Sequence, residues 1–248
     1  MVRRTQVARA NVDFASFEQL EQLEQLEGLK SEMVRCRQCP RLVAWRENVA
    51  QVKKAAFRDG EYWGKPVPGF GDPLARLVII GLAPGAHGSN RTGRMFTGDS
   101  SGNFLYPALY RAGFANRSQS SSLEDGLELK DCFITAPVRC VPPENKPTPL
   151  ELKTCSSWFK SELELLGYRR VTLTLGRIGH EAFLRFLNLN PREYPFSHGA
   201  EFNLPDGSTL ISSYHVSRQN TQTGRLTTEM FDALLERVKV VLESTHQG

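Results

Sequence analysis

Four short apolar runs punctuate the chain: Ala75–Gly81, Cys132–Val138, Val171–Gly176 and Thr209–His215. Each has the length and β-branched content of a strand buried on both faces. Between the runs, apolar positions recur at the helical period. Asn103–Ala112 and Ile178–Leu189 are two such stretches. A third opens at Thr148-Pro149-Leu150-Glu151, with a capping threonine, a proline at the first helical position and a glutamate at the third. Near the C-terminus, Phe231, Leu234, Leu235, Val238, Val241 and Leu242 share one face of a helix over Met230–Leu242.

This strand–helix alternation predicts an α/β fold, a parallel sheet with helices on both faces. In such sheets ligands bind beyond the carboxyl ends of the strands, here the loops after Gly81, Val138, Gly176 and Tyr214. Ahead of the sheet, Ser16-x-x-Gln19 fits a capping box that opens a helix over 16–30. Glu-Gln-Leu then repeats three times from Glu18 to Leu26, a slowly drifting leucine stripe suited to packing one face. Three turns fall short of the sustained heptads of a coiled coil. Residues 1–15 read as loosely ordered and 115–130 as a Ser-rich surface excursion. No linker splits the chain, so residues 1–248 are expected to form a single domain.

Composition narrows the class. With 40% hydrophobic and 23% charged residues, the 248-residue chain has the make-up of an ordinary globular protein. That excludes a disordered chain, a collagen-like repeat and a membrane-spanning bundle. A domain of this size buries about 70–75% of its unfolded surface and needs no disulfide staple. The net charge of +4 permits a nucleic-acid partner without requiring one. Placement says more: Arg91 and Arg94 lie in a glycine-rich loop, and Arg218 and Arg225 bracket an uncharged one. No apolar run approaches the roughly 18 residues that span a bilayer. The basic N-terminus lacks the apolar stretch of a secretory signal. A cytoplasmic setting is expected, where thiols stay reduced and five cysteines point to a metal site before disulfides.

Cys36-Arg-Gln-Cys39 is a C-x2-C pair, and Cys140 and Cys155 are separated by fourteen residues. Four thiolates can hold a [4Fe–4S] cluster or a zinc ion. The second pair is too widely spaced for the twin C-x2-C of a zinc ribbon. Cys132 sits inside an expected strand and reads as a core residue.

The loop after the first strand runs Gly81-Leu82-Ala83-Pro84-Gly85-Ala86-His87-Gly88 and continues to Asp99. Its glycines bring the backbone close to whatever binds there. It is neither G-x-G-x-x-G nor a P-loop, which disfavours a nicotinamide or ATP site. Asp99 can orient or activate a water, and equally can cap the helix near Asn103. Phe96 can stack on a planar base or pack in the core. Gly98-Asp99-Ser100-Ser101-Gly102 formally matches a nucleophile elbow, but the strand ends at Gly81, nineteen residues before Ser100. The last loop, His215-Val216-Ser217-Arg218-Gln219-Asn220 through Arg225, is almost wholly hydrogen-bonding and holds no carboxylate, which suits phosphates and base edges.

Gly81–Gly88, the Arg94-x-Phe96-Thr97-Gly98-Asp99 stretch, His215–Asn220 and the four-cysteine spacing together resemble the iron–sulfur uracil-DNA glycosylases, in particular their type-5 branch, from about Cys36 to Leu242. The resemblance implies a central four-stranded parallel sheet flanked by helices, and cleavage of the N-glycosidic bond of a deaminated base in DNA. It makes Cys36, Cys39, Cys140 and Cys155 the [4Fe–4S] ligands. It makes Phe96 the stacking platform and His215 the donor to the departing base. Asp99 becomes the catalytic carboxylate and Asn145 a second polar residue of the active site, with Gly81, Ala83 and Gly85 lining the base pocket. Arg91, Arg94, Ser217, Arg218, Gln219, Asn220 and Arg225 are expected to meet DNA. Most branches of the wider superfamily carry a polar residue after the first glycine to handle water. Here that position is Leu82, as in the type-5 branch, and the role shifts to Asp99. Uracil is the expected substrate, with hypoxanthine or xanthine in a loose pocket, and a monomer associated with the nucleoid is expected. Two alternatives compete: a catalytically inactive Fe–S or zinc protein that only binds nucleic acid, and a serine hydrolase using Ser100.

Overall fold

The computed structural model describes residues 14–244, with side chains from Gln19 onward. In chain order the elements are α1 (Phe14–Met33), α2 (Pro40–Val52), β1 (Phe70–Gly71), β2 (Leu77–Ile80), α3 (Ser89–Thr92), α4 (Ser100–Ala112), β3 (Cys132–Thr135), α5 (Pro149–Leu165), β4 (Val171–Leu175), α6 (Arg177–Phe186), β5 (Glu201–Asn203), β6 (Thr209–Ser213), α7 (Arg218–Gln222) and α8 (Thr228–Glu243). The sheet has six strands in the order β1-β3-β2-β4-β6-β5. The four expected strands are its parallel centre, in register at Val78↔Phe133, Val78↔Thr172 and Thr172↔Leu210. The expected purely parallel, four-stranded sheet is corrected at both edges. β1 and β5 pair antiparallel with β3 and β6, so the sheet is mixed.

Every residue of the four central strands is buried. One face packs on α4 and α8 through a core that includes Leu105, Leu109, Phe231 and Leu235. The other packs on α1, α5 and α6 through Leu26, Phe159, Leu163 and Phe183. Thr148 caps α5 in a reciprocal box with Glu151, as the sequence predicts. The α1 start is corrected: the helix is already formed at Phe14, which leaves Ser16 inside it. The side chain of Ser16, and residues 1–13, lie outside the described residues. A three-residue repeat slips about 60° around a helix at each step. Leu20 is accordingly 57% exposed while Leu26 is 1% exposed. Residues 115–130 carry a single bridge, Ala115↔Leu129. The carboxyl ends of β2, β3, β4 and β6 stay tied where the loops begin, through Gly81 N–H to Thr135 O and Gly176 N–H to Ser213 O, both 2.8 Å.

Candidate active site and cysteine cavity

Gly81 directly follows β2, and a Cβ there would stand 2.7 Å from Cζ of Phe96. Glycine therefore lets the Phe96 ring lie on the strand end. Phe96 itself has φ 52, and its carbonyl oxygen is pressed onto Gly102, where any Cβ would overlap it. A non-glycine residue held in this region costs on the order of 1–3 kcal/mol and persists where its surroundings over-determine it. His215 follows β6, with its ring centroid 6.1 Å from that of Phe96 and the planes inclined by 36°. Gly176 backs the imidazole, since a Cβ there would lie 3.3 Å from the His215 Cβ. Burial lowers the His215 pKa to about 4. The ring is therefore neutral at pH 7, with one N–H to donate.

Asp99 uses its two oxygens differently. Oδ1 accepts from Ser101 N–H (3.0 Å) and Gly102 N–H (3.1 Å), capping α4. Oδ2 faces Gly85 and Gly88, where added Cβ atoms would run into it. Burial raises the Asp99 pKa, against the opposing pull of the Gly102 and Ser101 amides and of Arg91. One oxygen thus caps the helix while the other is turned to the glycine-rich loop. Arg91 braces the loop from within: Nε donates to His87 O (2.8 Å), Nη2 donates to Gly98 O (2.9 Å), and its guanidinium lies over Phe57. Ser100 is exposed at the start of α4, and the glycines around it serve local geometry: Gly98 has φ 80 and Gly102 the close approach of Phe96. No strand runs into Ser100, so the hydrolase reading lapses.

One DNA-contact expectation, Arg94, is corrected. Arg94 is 2% exposed, paired with Asp125 at 2.5 Å, and bonded to Ser120 and Thr97. It anchors the 115–130 excursion and presents no cation to solvent. Asn220 is half-buried and donates through Nδ2 to His215 O (2.8 Å), a bond that braces the loop. Arg218, Gln219 and Arg225 are exposed, with Ser217 half-buried ahead of α7. Arg225 lies over the Tyr214 ring (4.4 Å), which stacks on His198 (5.1 Å, 21°). Sequence reading missed this stack; Tyr214 beside a strand end and Arg225 beyond it were the available signal. Asn145 is exposed on a 3₁₀ turn, Pro143–Asn145, where Glu144 (φ 54) and Asn145 (φ 57) are both left-handed. Its side chain makes no hydrogen bond among the described residues.

Cys36, Cys39, Cys140 and Cys155 all line one cavity, with Arg139 and Trp158. N–H groups point at three of the sulfurs: Arg46 Nη1 to Cys140 (2.9 Å), Trp158 Nε1 to Cys36 (3.3 Å) and Arg139 N to Cys155 (3.4 Å). Burial raises the thiols of Cys39, Cys140 and Cys155, the last to about 12. Thiolates here need a bound cationic centre to persist, and the donor set suits anionic sulfur. Among the described residues, no group of three or more His, Cys, Asp or Glu side chains is placed to hold a metal ion as it stands. Cys132 is fully buried and apart from the cavity, the core residue the sequence predicts. A larger cavity of about 620 Å³ lies between α5 and α6, lined by Leu152, Lys153, Phe159, Ala182 and Arg185 among others. Phe96, Asp99, Asn145 and His215 do not line it.

The fold and this rim of glycine loop, carboxylate, phenyl ring and imidazole define a base-excision class of enzyme. The chain belongs to the uracil DNA glycosylase superfamily, whose family model matches residues 68–239. It is similar to the type-5 uracil-DNA glycosylase of Thermus thermophilus, at 58% identity over 82% of this chain and 92% of that protein. The type-5 uracil-DNA glycosylase of Mycobacterium leprae is 50% identical over 85% of this chain and 93% of its own length. That of Pyrobaculum aerophilum is 43% identical over 84% and 89%. Among the described residues, no helix is long and apolar enough to cross a membrane.

Proposed function

We propose that the chain excises uracil from DNA by base flipping and hydrolysis of the N-glycosidic bond, leaving an abasic site. The observation that carries this reading is the pairing of a neutral His215 with Phe96 over the glycine at the strand end. A base inside a duplex is out of reach and must be extruded, at a cost of a few kcal/mol that falls when it is mispaired. Stacking on Phe96 returns roughly 1–3 kcal/mol of this. As the bond breaks, the sugar takes on oxocarbenium character and the base leaves as an anion. The neutral His215 donates its N–H to that anion, and backbone amides of the Gly81–Gly88 loop add to it. The Oδ2 of Asp99, not used in the helix cap, stabilises the sugar cation and steers the attacking water. Asn145, held in a strained turn with a free side chain, serves the base edge. Arg218, Gln219 and Arg225 meet the duplex, with Arg225 aimed by its stack on Tyr214.

Cys36, Cys39, Cys140 and Cys155 would hold a [4Fe–4S] cluster. Such a group supplies a structural tie between α2 and the sheet, without redox chemistry in the reaction. We place the protein as a monomer in the cytoplasm, on the nucleoid. The deciding experiment offers duplexes that each carry one uracil, hypoxanthine or xanthine and reads strand nicking after alkali. Uracil excision is expected, and duplex bound without nicking overturns the reading.

A further inference from the structure

We infer that Arg46 is a positioning residue that ties the cysteine cavity to the catalytic loop, so that occupancy of the cavity sets the order of the loop holding Asp99. The inference rests on the reading of the four cysteines as cluster ligands. α2 starts at Pro40, directly after Cys39, and buries Leu42, Val43, Arg46 and Val49. An arginine thus occupies the apolar stripe of the helix and is 2% exposed. Its Nη1 donates to Cys140 Sγ at 2.9 Å and its Nη2 to Cys36 O at 3.1 Å, while its Nε has no partner. The carboxylate nearest to it, Glu47, stands 4.0 Å away and is gripped by Arg37 at 2.5 and 3.1 Å. A buried cation without compensation is costly, so the balancing charge at this place is the anionic sulfur of the cavity.

The other end of the same residue reaches the active site. Arg46 O accepts from Asn90 Nδ2 at 3.2 Å, and Asn90 is fully buried. Asn90 N–H donates to Gly85 O (3.0 Å), and Gly85 lies against the free oxygen of Asp99. Ala83 of the same loop packs against the Leu42, Val138 and Cys140 cluster, as does Cys39. With the sulfur charge gone, the buried Arg46 guanidinium keeps only the Cys36 carbonyl at 3.1 Å and the shared Glu47 carboxylate at 4.0 Å. The relief open to it is movement of α2 toward solvent, which withdraws the carbonyl that Asn90 holds.

The test uses the iron-loaded protein and three readouts: bleaching of its violet absorbance band in chelator, hydrogen–deuterium exchange of residues 81–92 without DNA, and single-turnover excision. Arg46→Lys keeps the charge but loses the two-armed grip. It is expected to bleach at least tenfold faster, with faster exchange over 81–92. Wild type bleached by chelator, its far-UV circular dichroism retained, is expected to show the same loss of protection. Asn90→Ala is expected to bleach at the wild-type rate yet lose protection over 81–92 and slow excision. Equal bleaching of Arg46→Lys and wild type overturns the inference, as does unchanged exchange over 81–92 in bleached wild type. Wild type that purifies colourless and iron-free overturns the cluster reading itself, and the inference with it.

Discussion

At the scale of single residues, the two oxygens of Asp99 allow its structural and chemical roles to be separated. Asparagine is as good an N-cap as aspartate. Asp99→Asn therefore keeps the α4 cap and is expected to unfold within about 0.5 kcal/mol of wild type. Its uracil excision is expected to fall by roughly 10²–10⁴-fold. A large loss of stability in that variant would make the cap its main role. His215 lends itself to a pH argument. Its folded pKa is lowered from 6.5 to about 4 by burial. As pH drops from 6.5 toward 4 the unfolded chain takes up a proton that the folded chain refuses, so stability falls across that window. Wild type is expected to lose more stability than His215→Phe between pH 7 and pH 5 in urea unfolding. For the same reason excision is expected to show no inflection near pH 6.5 from this group. Replacing the donor by His215→Ala is expected to cost about 10²–10³-fold in rate. An inflection near pH 6.5 that disappears in that variant would show an imidazole that charges in the working range.

At the scale of elements, the glycines distinguish packing from conformational freedom. Gly88 meets the Asp99 carboxyl group, whereas Gly28, inside α1, has open space around it. Gly88→Ala is expected to lower both the melting temperature and excision. Gly28→Ala is expected to stabilise by about 0.5–1 kcal/mol with excision unchanged. Equal effects of the two in thermal melts would contradict the close approach at Gly88. The same scale explains what the sequence revealed. The four central strands were legible because strands buried on both faces are continuous apolar runs. β1 and β5 were not: two and three residues long, with Glu201 and Asn203 exposed, they carry no periodic signal. That the four thiols gather at one cavity was legible from spacing, and the dense loop marked Asp99 and Phe96, which lie against its glycines. Arg46 was hidden because a charged residue ordinarily marks the solvent face of a helix. Its position on the stripe of Leu42, Val43 and Val49 was the one clue.

At the scale of the whole molecule, the excess of positive charge is small, and burial decides which cations DNA can feel. Arg94 looked equivalent to Arg218 and Arg225 in sequence, because nothing local announces that Asp125, thirty-one residues on, will close over it. Each phosphate neutralised by an exposed cation releases counterions and steepens the fall of affinity with salt, by about 0.9 in the logarithmic slope for duplex DNA. Removing a buried, paired cation changes no phosphate contact. It leaves the half-buried Asp125 carboxylate with only its backbone donors, the amides of Ser121, Ser122 and Leu127, which destabilises the fold. Arg218→Ala and Arg225→Ala are therefore each expected to flatten the salt slope by nearly one unit with little change in melting temperature. Arg94→Met is expected to do the reverse, with a marked drop in melting temperature and a slope equal to wild type. Fluorescence anisotropy on a uracil-containing duplex across a salt series, beside thermal melts of the same samples, separates the two patterns. A flattened slope in Arg94→Met with an unchanged melt would return that residue to the DNA face, and an unchanged slope in both other variants would take the His215–Arg225 loop off the duplex.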